Sequence, residues 1–87
     1  MTHMSAQVSL YPLRQMDLGP AIRDAVRIFR EHGLEAQVGA MSTVVWGEES
    51  AVFAALQAAF HRAALQGDAV MVVAFSNACP MPKGKNA

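Results

Sequence analysis

The sequence has little charge, a single cysteine and few aromatic residues. Charged residues make up 16% of the 87 residues, against about 25% in average proteins, and basic and acidic residues balance at seven each. Proteins that bind nucleic acid carry an excess of positive charge, so a formal net charge of zero argues against that partner. One cysteine, Cys79, excludes an intrachain disulfide and any site built from paired cysteines.

Long hydrophobic runs are also missing. The longest, Ala69–Phe75, is far too short to span a bilayer, and the N-terminus lacks the basic and apolar regions of a signal peptide. We therefore predict a cytoplasmic protein with no membrane insertion. The length predicts one domain over residues 5–80, followed by a polar C-terminal tail at residues 81–87.

Apolar residues recur with the period of a strand in some segments and with the period of a helix in others. Strands are predicted at 6–11, 35–41, 43–46 and 70–75, and helices at about 18–32 and from Gly47 to just before Gly67. This order predicts an α+β, ferredoxin-like βαββαβ sandwich, in which one antiparallel sheet carries two helices on one face.

The same patterns predict which positions are buried and how the chain assembles. In the two helices they are Ile22, Ala25, Val26 and Phe29, and Val52, Phe53, Leu56, Ala59, Phe60 and Ala63. The last strand is apolar at every position, which is typical of burial on both faces. Because both helices cover the same sheet face, we predict that a second copy covers the other one. This gives a homodimer through sheet faces, with a homotetramer as a further assembly.

Candidate catalytic and metal-binding groups do not occur at the spacings that their chemistry requires. His3, His32, His61 and Cys79 share no ligand spacing, so no metal site is predicted. Cys79 has no base among its neighbours, and no glycine-rich phosphate loop is present. We therefore predict no catalytic residues and no enzymatic activity.

Three polar segments interrupt otherwise apolar strands: Ser9 with Tyr11, Ser42–Thr43 and Ser76–Asn77. In the predicted fold the first strand lies between the third and the fourth, so the segments are expected to converge. Hydroxyl and amide groups near Trp46 and Phe75 suit a flat polar heterocycle. Ordinary sheet and turn positions explain the same residues, and the spacing leaves both interpretations open.

Four segments resemble those of the YkoF-like thiamine-binding family. They are Gln7–Leu13, Val38–Val45 with Gly47–Glu48, Val52–Phe60 and Ser76–Pro80. The resemblance covers about residues 6–80. It implies a ferredoxin-like fold, assembly through sheets, and non-catalytic binding of thiamine or its hydroxymethylpyrimidine part. The protein would then be a carrier, a buffer or an uptake accessory, with thiamine as its ligand and no cofactor.

The resemblance also implies a set of ligand-binding residues: Ser9, Tyr11, Gly39, Thr43, Ser76 and Asn77. Many relatives have an acidic residue where Trp46 stands, and Glu48 is the candidate to face the cationic thiazolium instead, so both join the predicted set. Two other functions stay open at this point. One is an oligomeric structural or regulatory module without a small ligand, and the other is an enzyme of thiamine or pyrimidine metabolism, for which the sequence offers no nucleophile or acid–base pair.

Overall fold

A computed structural model describes residues 2–14, 16–40 and 42–78, so Cys79 and the predicted tail lie outside the described residues. The elements are β1 (His3–Pro12), α1 (Gly19–Glu31), β2 (Glu35–Val38), β3 (Thr43–Glu48), α2 (Glu49–Gln66) and β4 (Ala69–Ser76). The strands form one antiparallel sheet in the order β2-β3-β1-β4. The predicted ferredoxin-like fold is confirmed, and β1 lies between β3 and β4 as expected.

The boundaries of α1 follow from local chemistry. Asp17 Oδ1 accepts a hydrogen bond of 3.0 Å from the backbone N–H of Gly19, at the start of the helix. Pro20 occupies the first turn, where its missing N–H costs no helical hydrogen bond. After the helix, Gly33 takes a left-handed φ of +82°, a conformation that favours glycine and turns the chain toward β2. The sequence therefore predicts α1 closely.

The buried face of α2 is narrower than predicted. It consists of Val52, Ala55, Leu56, Ala59 and Ala63. Phe53 and Phe60 were expected in the core, but they are 49% and 39% exposed. Successive helical residues are about 100° apart, so a face centred on the buried positions turns both rings outward. Phe53 instead stacks on Phe75 of β4, with ring centroids 4.8 Å apart.

A glycine on β3 lets β2 pack closely against the core. A Cβ atom at Gly47 would lie 2.7 Å from Cδ2 of Leu34, the residue that leads into β2. Leu34 is only 5% exposed and belongs to the same hydrophobic cluster as Val45 and Phe29. The small residue at position 47 therefore allows the Leu34 side chain to seat beside β3 and fixes where β2 begins.

The sheet surface that the helices leave uncovered is called here the open face. Val70 and Val72 of β4 are 45% and 57% exposed in the single chain, and the burial of β4 on both faces by a second copy stays a prediction. The two valines are exposed because β4 is an edge strand and both helices pack on the opposite face. None of the described helices is long and apolar enough to cross a membrane.

The two helices cover the sheet unequally. α2 lies over β1, β3 and β4, whereas α1 packs mainly against α2 and the edge strand β2. The part of the sheet beneath the N-terminal half of α1 is consequently less tightly covered, and a cavity opens there.

Candidate ligand-binding cavity

A cavity of about 330 Å³ lies between α1 and the sheet and is called here the α1 cavity. Its size is at the lower end of small-molecule pockets, which span roughly 300–1,000 Å³. Apolar side chains form its walls: Val8 and Leu10 of β1, and Leu18, Ile22, Ala25 and Phe29 from α1 and the residue before it. Its rim consists of Tyr11, Val38, Gly39, Ala40, Ser42 and Thr43.

Thr43 supplies the buried polar group of this cavity. Among the described residues it is the one buried polar side chain, at 6% exposure, and it lies opposite Val8 on one side and Val38 on the other. Its hydroxyl makes no hydrogen bond within the part of the chain that the structure describes. The hydroxyl is therefore available to a polar group of a ligand in the cavity.

The turn between β2 and β3 holds the rim in place. The backbone N–H of Gly39 donates to the carbonyl oxygen of Ser42 at 2.8 Å, and a Cβ atom on Gly39 would lie 3.1 Å from that same oxygen. From β1, Gln7 Nε2 donates to Ser42 Oγ at 3.1 Å. These contacts position the backbone of the turn at the edge of the cavity, beside the hydroxyl of Thr43.

The cavity is electrically neutral. Its described lining contains no acidic, basic or histidine residue, and its polar residues are Tyr11, Ser42 and Thr43. Such a lining suits an uncharged, mostly flat molecule with a few hydrogen-bonding groups. Elsewhere in the described ranges, no three histidine, aspartate or glutamate side chains lie close enough to share a metal ion.

The expected meeting of the three polar segments does not occur. Thr43 lies opposite Val8, whereas Ser76 lies opposite Ser5. Ser5 and Val8 are three positions apart on β1, so Thr43 and Ser76 are offset by about 10 Å along the strand and lie on opposite faces of the sheet. Ser9 is separated from Ser5 by four residues, or about 13 Å along the strand. It also follows Val8 directly, and successive strand residues point to opposite faces.

The remaining predicted residues also lie away from the α1 cavity. Trp46 is 8% exposed and lies opposite Ser5, and Asn77 is exposed after the end of β4. Glu48 lies opposite His3, and a hydrogen bond from the hydroxyl of Ser50 lowers the pKa of its carboxyl group. The structure thus brings Tyr11, Gly39 and Thr43 to one cavity and leaves the other five elsewhere. Ligand contact by any of the eight stays a prediction.

Sequence reasoning missed the apolar wall of the cavity. Leu18, Ile22, Ala25 and Phe29 recur at helical spacing, and three of them were assigned to the core. The periodicity of a helix face that covers a cavity is the same as that of a face that packs against a solid core. The sequence therefore contains no signal that separates the two.

The chain belongs to the YKOF-related family, whose family model matches residues 3–82. The resemblance found from the sequence is thereby confirmed. No curated protein sequence matches the chain.

Solved structures share the fold. A hypothetical protein from Methanocaldococcus jannaschii is 22% identical, with a TM-score of 0.81 over 95% of this chain and 86% of that one. A domain of unknown function from Bacillus cereus is 16% identical, with a TM-score of 0.74 over 98% and 86%. A candidate thiamine biosynthesis/salvage protein from Thermotoga maritima is 14% identical, with a TM-score of 0.77 over 97% and 95%. At these identities the similarity establishes the fold alone.

Proposed function

We propose that this protein binds thiamine or its hydroxymethylpyrimidine part in the α1 cavity and does not transform it. Thr43 is the observation that carries the proposal, because its hydroxyl is buried in a neutral cavity without a hydrogen-bond partner among the described residues. Membership of the YKOF-related family supports the choice of ligand, as does the structural similarity to the Thermotoga maritima protein.

The chemistry of an aminopyrimidine fits this lining. The ring is flat and carries nitrogen acceptors and an amino donor, and a threonine hydroxyl both donates and accepts hydrogen bonds. Leu10 and Phe29 supply apolar surface against which such a ring packs. The cationic thiazolium of thiamine would lie toward the mouth, since no carboxylate lines the cavity to pair with it.

The lining also favours binding without catalysis. General acid–base chemistry needs a group that takes or gives a proton near neutral pH, most often histidine or a carboxylate. No such side chain occurs among the described residues of the cavity. A carrier, a buffer or an accessory to uptake is therefore the proposed role.

Titration calorimetry on the intact chain tests the ligand. We expect one site per chain for hydroxymethylpyrimidine and for thiamine, whose shared ring occupies the cavity. Failure of both compounds to bind at millimolar concentration would contradict the proposal. It would favour the alternative of an oligomeric module without a small ligand.

We further propose that two copies pair through the open face. Its centre contains Gln7, Ser9, Val44, Val72 and Ala74, with no charged side chain among them. In a twofold contact each residue meets the same surface on the partner, so an uncharged centre avoids repulsion between like charges. Covering this face also removes the exposed valines of β4 from water.

A further inference from the structure

A second depression adjoins the α1 cavity on the outer side of α1. It is an open groove between α1 and β2. Three basic residues, Arg23, Arg27 and Arg30, and one acidic residue, Glu31, border it, so it is called here the arginine groove. Ile22 and Val38 line both the cavity and the groove. These two residues therefore separate a ring that fills the cavity from the groove that the three arginines border.

The three arginines differ in what they already bind. Arg27 forms ion pairs with Asp24 at 3.0 Å and with Glu31 at 3.1 Å, so its charge is compensated. Arg30 donates one hydrogen bond of 3.3 Å to the carbonyl oxygen of Ala36 and forms no ion pair among the described residues. Arg23 is exposed and has neither a hydrogen bond nor an ion pair within the described ranges. The charges of Arg23 and Arg30 are thus open to an anion, and the Glu31 carboxylate in the same lining is already paired with Arg27.

One carboxylate lies near Arg23. Asp17 Oδ1 and Arg23 Nη1 lie 3.2 Å and 3.1 Å from the position that a Cβ atom on Gly19 would take. They are not within ion-pair distance of each other, and the Asp17 oxygen accepts the backbone N–H of Gly19. Asp17 therefore opposes an incoming anion without neutralising Arg23 through a direct contact.

We propose that Arg23 and Arg30 form a subsite for the phosphoryl group of a ligand whose ring occupies the α1 cavity. This inference rests on the proposed function and specifies its ligand class, a phosphate ester of the hydroxymethylpyrimidine. Guanidinium groups match phosphate oxygens in geometry and charge. The neutral cavity selects the ring and the arginine groove selects the ester.

Paired titrations with hydroxymethylpyrimidine and its phosphate ester test the subsite. We expect the ester to bind about tenfold more tightly than the alcohol. That is the lower end of what hydrogen bonds to charged groups contribute, because both arginines are exposed.

Arg23→Gln should remove most of this preference and leave the affinity for the alcohol unchanged. Asp17→Asn keeps an oxygen to accept the Gly19 N–H but loses the negative charge, so it should increase the preference.

Arg14→Gln is the matched control. It removes the same charge from the segment after β1, where Arg14 pairs with Asp68, outside the arginine groove. The subsite is refuted if the wild-type chain binds both compounds equally well, or if Arg14→Gln reduces the preference as much as Arg23→Gln does. Binding of the alcohol with no gain for the ester would overturn the subsite alone, whereas absence of binding by both compounds would overturn the proposed function with it.

Discussion

Thr43 occupies a position where packing by itself would suit valine. It faces Val8 and Val38 across the neighbouring strands and is almost fully buried, and yet it carries a hydroxyl. Valine has the same shape without the polar atom. Packing therefore does not explain the hydroxyl, and we expect it to serve the proposed ligand in the α1 cavity.

The variant Thr43→Val separates these two effects. We expect it to leave the free energy of unfolding unchanged or to raise it by about 1 kcal/mol, since no hydrogen bond among the described residues is lost. Affinity for hydroxymethylpyrimidine should fall by about 1–3 kcal/mol. Urea denaturation and calorimetry measure the two quantities. Asn77→Ala, at an exposed position beyond β4, should change neither, and an unaltered affinity in Thr43→Val would place the ligand elsewhere.

Asp24 connects the two helices. Its carboxylate accepts hydrogen bonds from Arg27 on its own helix at 3.0 Å and from Arg62 on α2 at 3.1 Å, and these bonds lower the pKa of Asp24. Because the pKa of Asp24 is lower in the folded chain than in the unfolded chain, its ionised carboxylate stabilises the fold at every pH above the unfolded pKa. This stabilisation is lost as the pH falls through the pKa of the folded chain.

We therefore expect Asp24→Asn to lower the Tm at pH 7 and the difference from the wild type to shrink below about pH 4. Thermal unfolding of both proteins across this range measures the effect. Glu35→Gln, which removes an exposed carboxylate on edge strand β2 that makes no ion pair among the described residues, should show a smaller difference at pH 7. If Asp24→Asn lowers the Tm by the same amount at pH 3 and at pH 7, the ionised carboxylate of Asp24 is not the source of the stabilisation.

At the scale of elements, the helices show what the sequence can and cannot predict. α1 has clear start and stop residues in Asp17, Pro20 and Gly33, so its bounds follow from the pattern. Its predicted buried face is correct in part, because Ile22 is only half-buried and Ile28, which was not predicted, is buried. α2 is apolar on nearly every side. Its periodicity therefore does not select one face, and Phe53 and Phe60 were assigned to the wrong one.

The close approach of Leu34 to Gly47 gives a prediction for β2. A Cβ atom at position 47 would meet Leu34 Cδ2 at 2.7 Å, and Leu34 is too buried to move away freely. Gly47→Ala should therefore lower the free energy of unfolding by about 1–3 kcal/mol, the usual cost of overpacking. Denaturation of the two single variants and the double variant with Leu34→Ala measures how far the two positions depend on each other. With alanine at position 34, Gly47→Ala should cost almost no free energy of unfolding. An equal cost with leucine and with alanine at position 34 would exclude this contact as its cause.

At the scale of the whole molecule, the strand order was predictable and the location of the cavity was not. The motif order predicts β1 between β3 and β4, and the register then offsets Thr43 and Ser76 along β1 and places them on opposite faces of the sheet. The strand directions already argue against their convergence, because the start of β3 and the end of β4 are displaced from each other along β1. The α1 cavity, in contrast, depends on how α1 leans toward β2, which is decided by packing among side chains distant in sequence.

The proposed pairing through the open face is tested with Val72→Glu. This change places a carboxylate at the uncharged centre, where a twofold contact would bring it close to its own copy. We expect the wild-type chain to scatter light as a dimer and the variant as a monomer. Leu65→Glu, at a residue of α2 that is 67% exposed, should remain dimeric. A wild-type chain that is monomeric at micromolar concentration would contradict the pairing.

The hydrogen bond from Gln7 to Ser42 joins the open face to the edge of the α1 cavity. Gln7 belongs to the open face, whereas Ser42 belongs to the turn at the rim of the α1 cavity. If two copies meet through Gln7, this amide connects the proposed interface with the edge of each cavity, and we expect ligand binding to one copy to affect the other. Saturation curves of the assembled protein would then depart from those of identical, independent sites, and Gln7→Leu would restore a Hill coefficient of one.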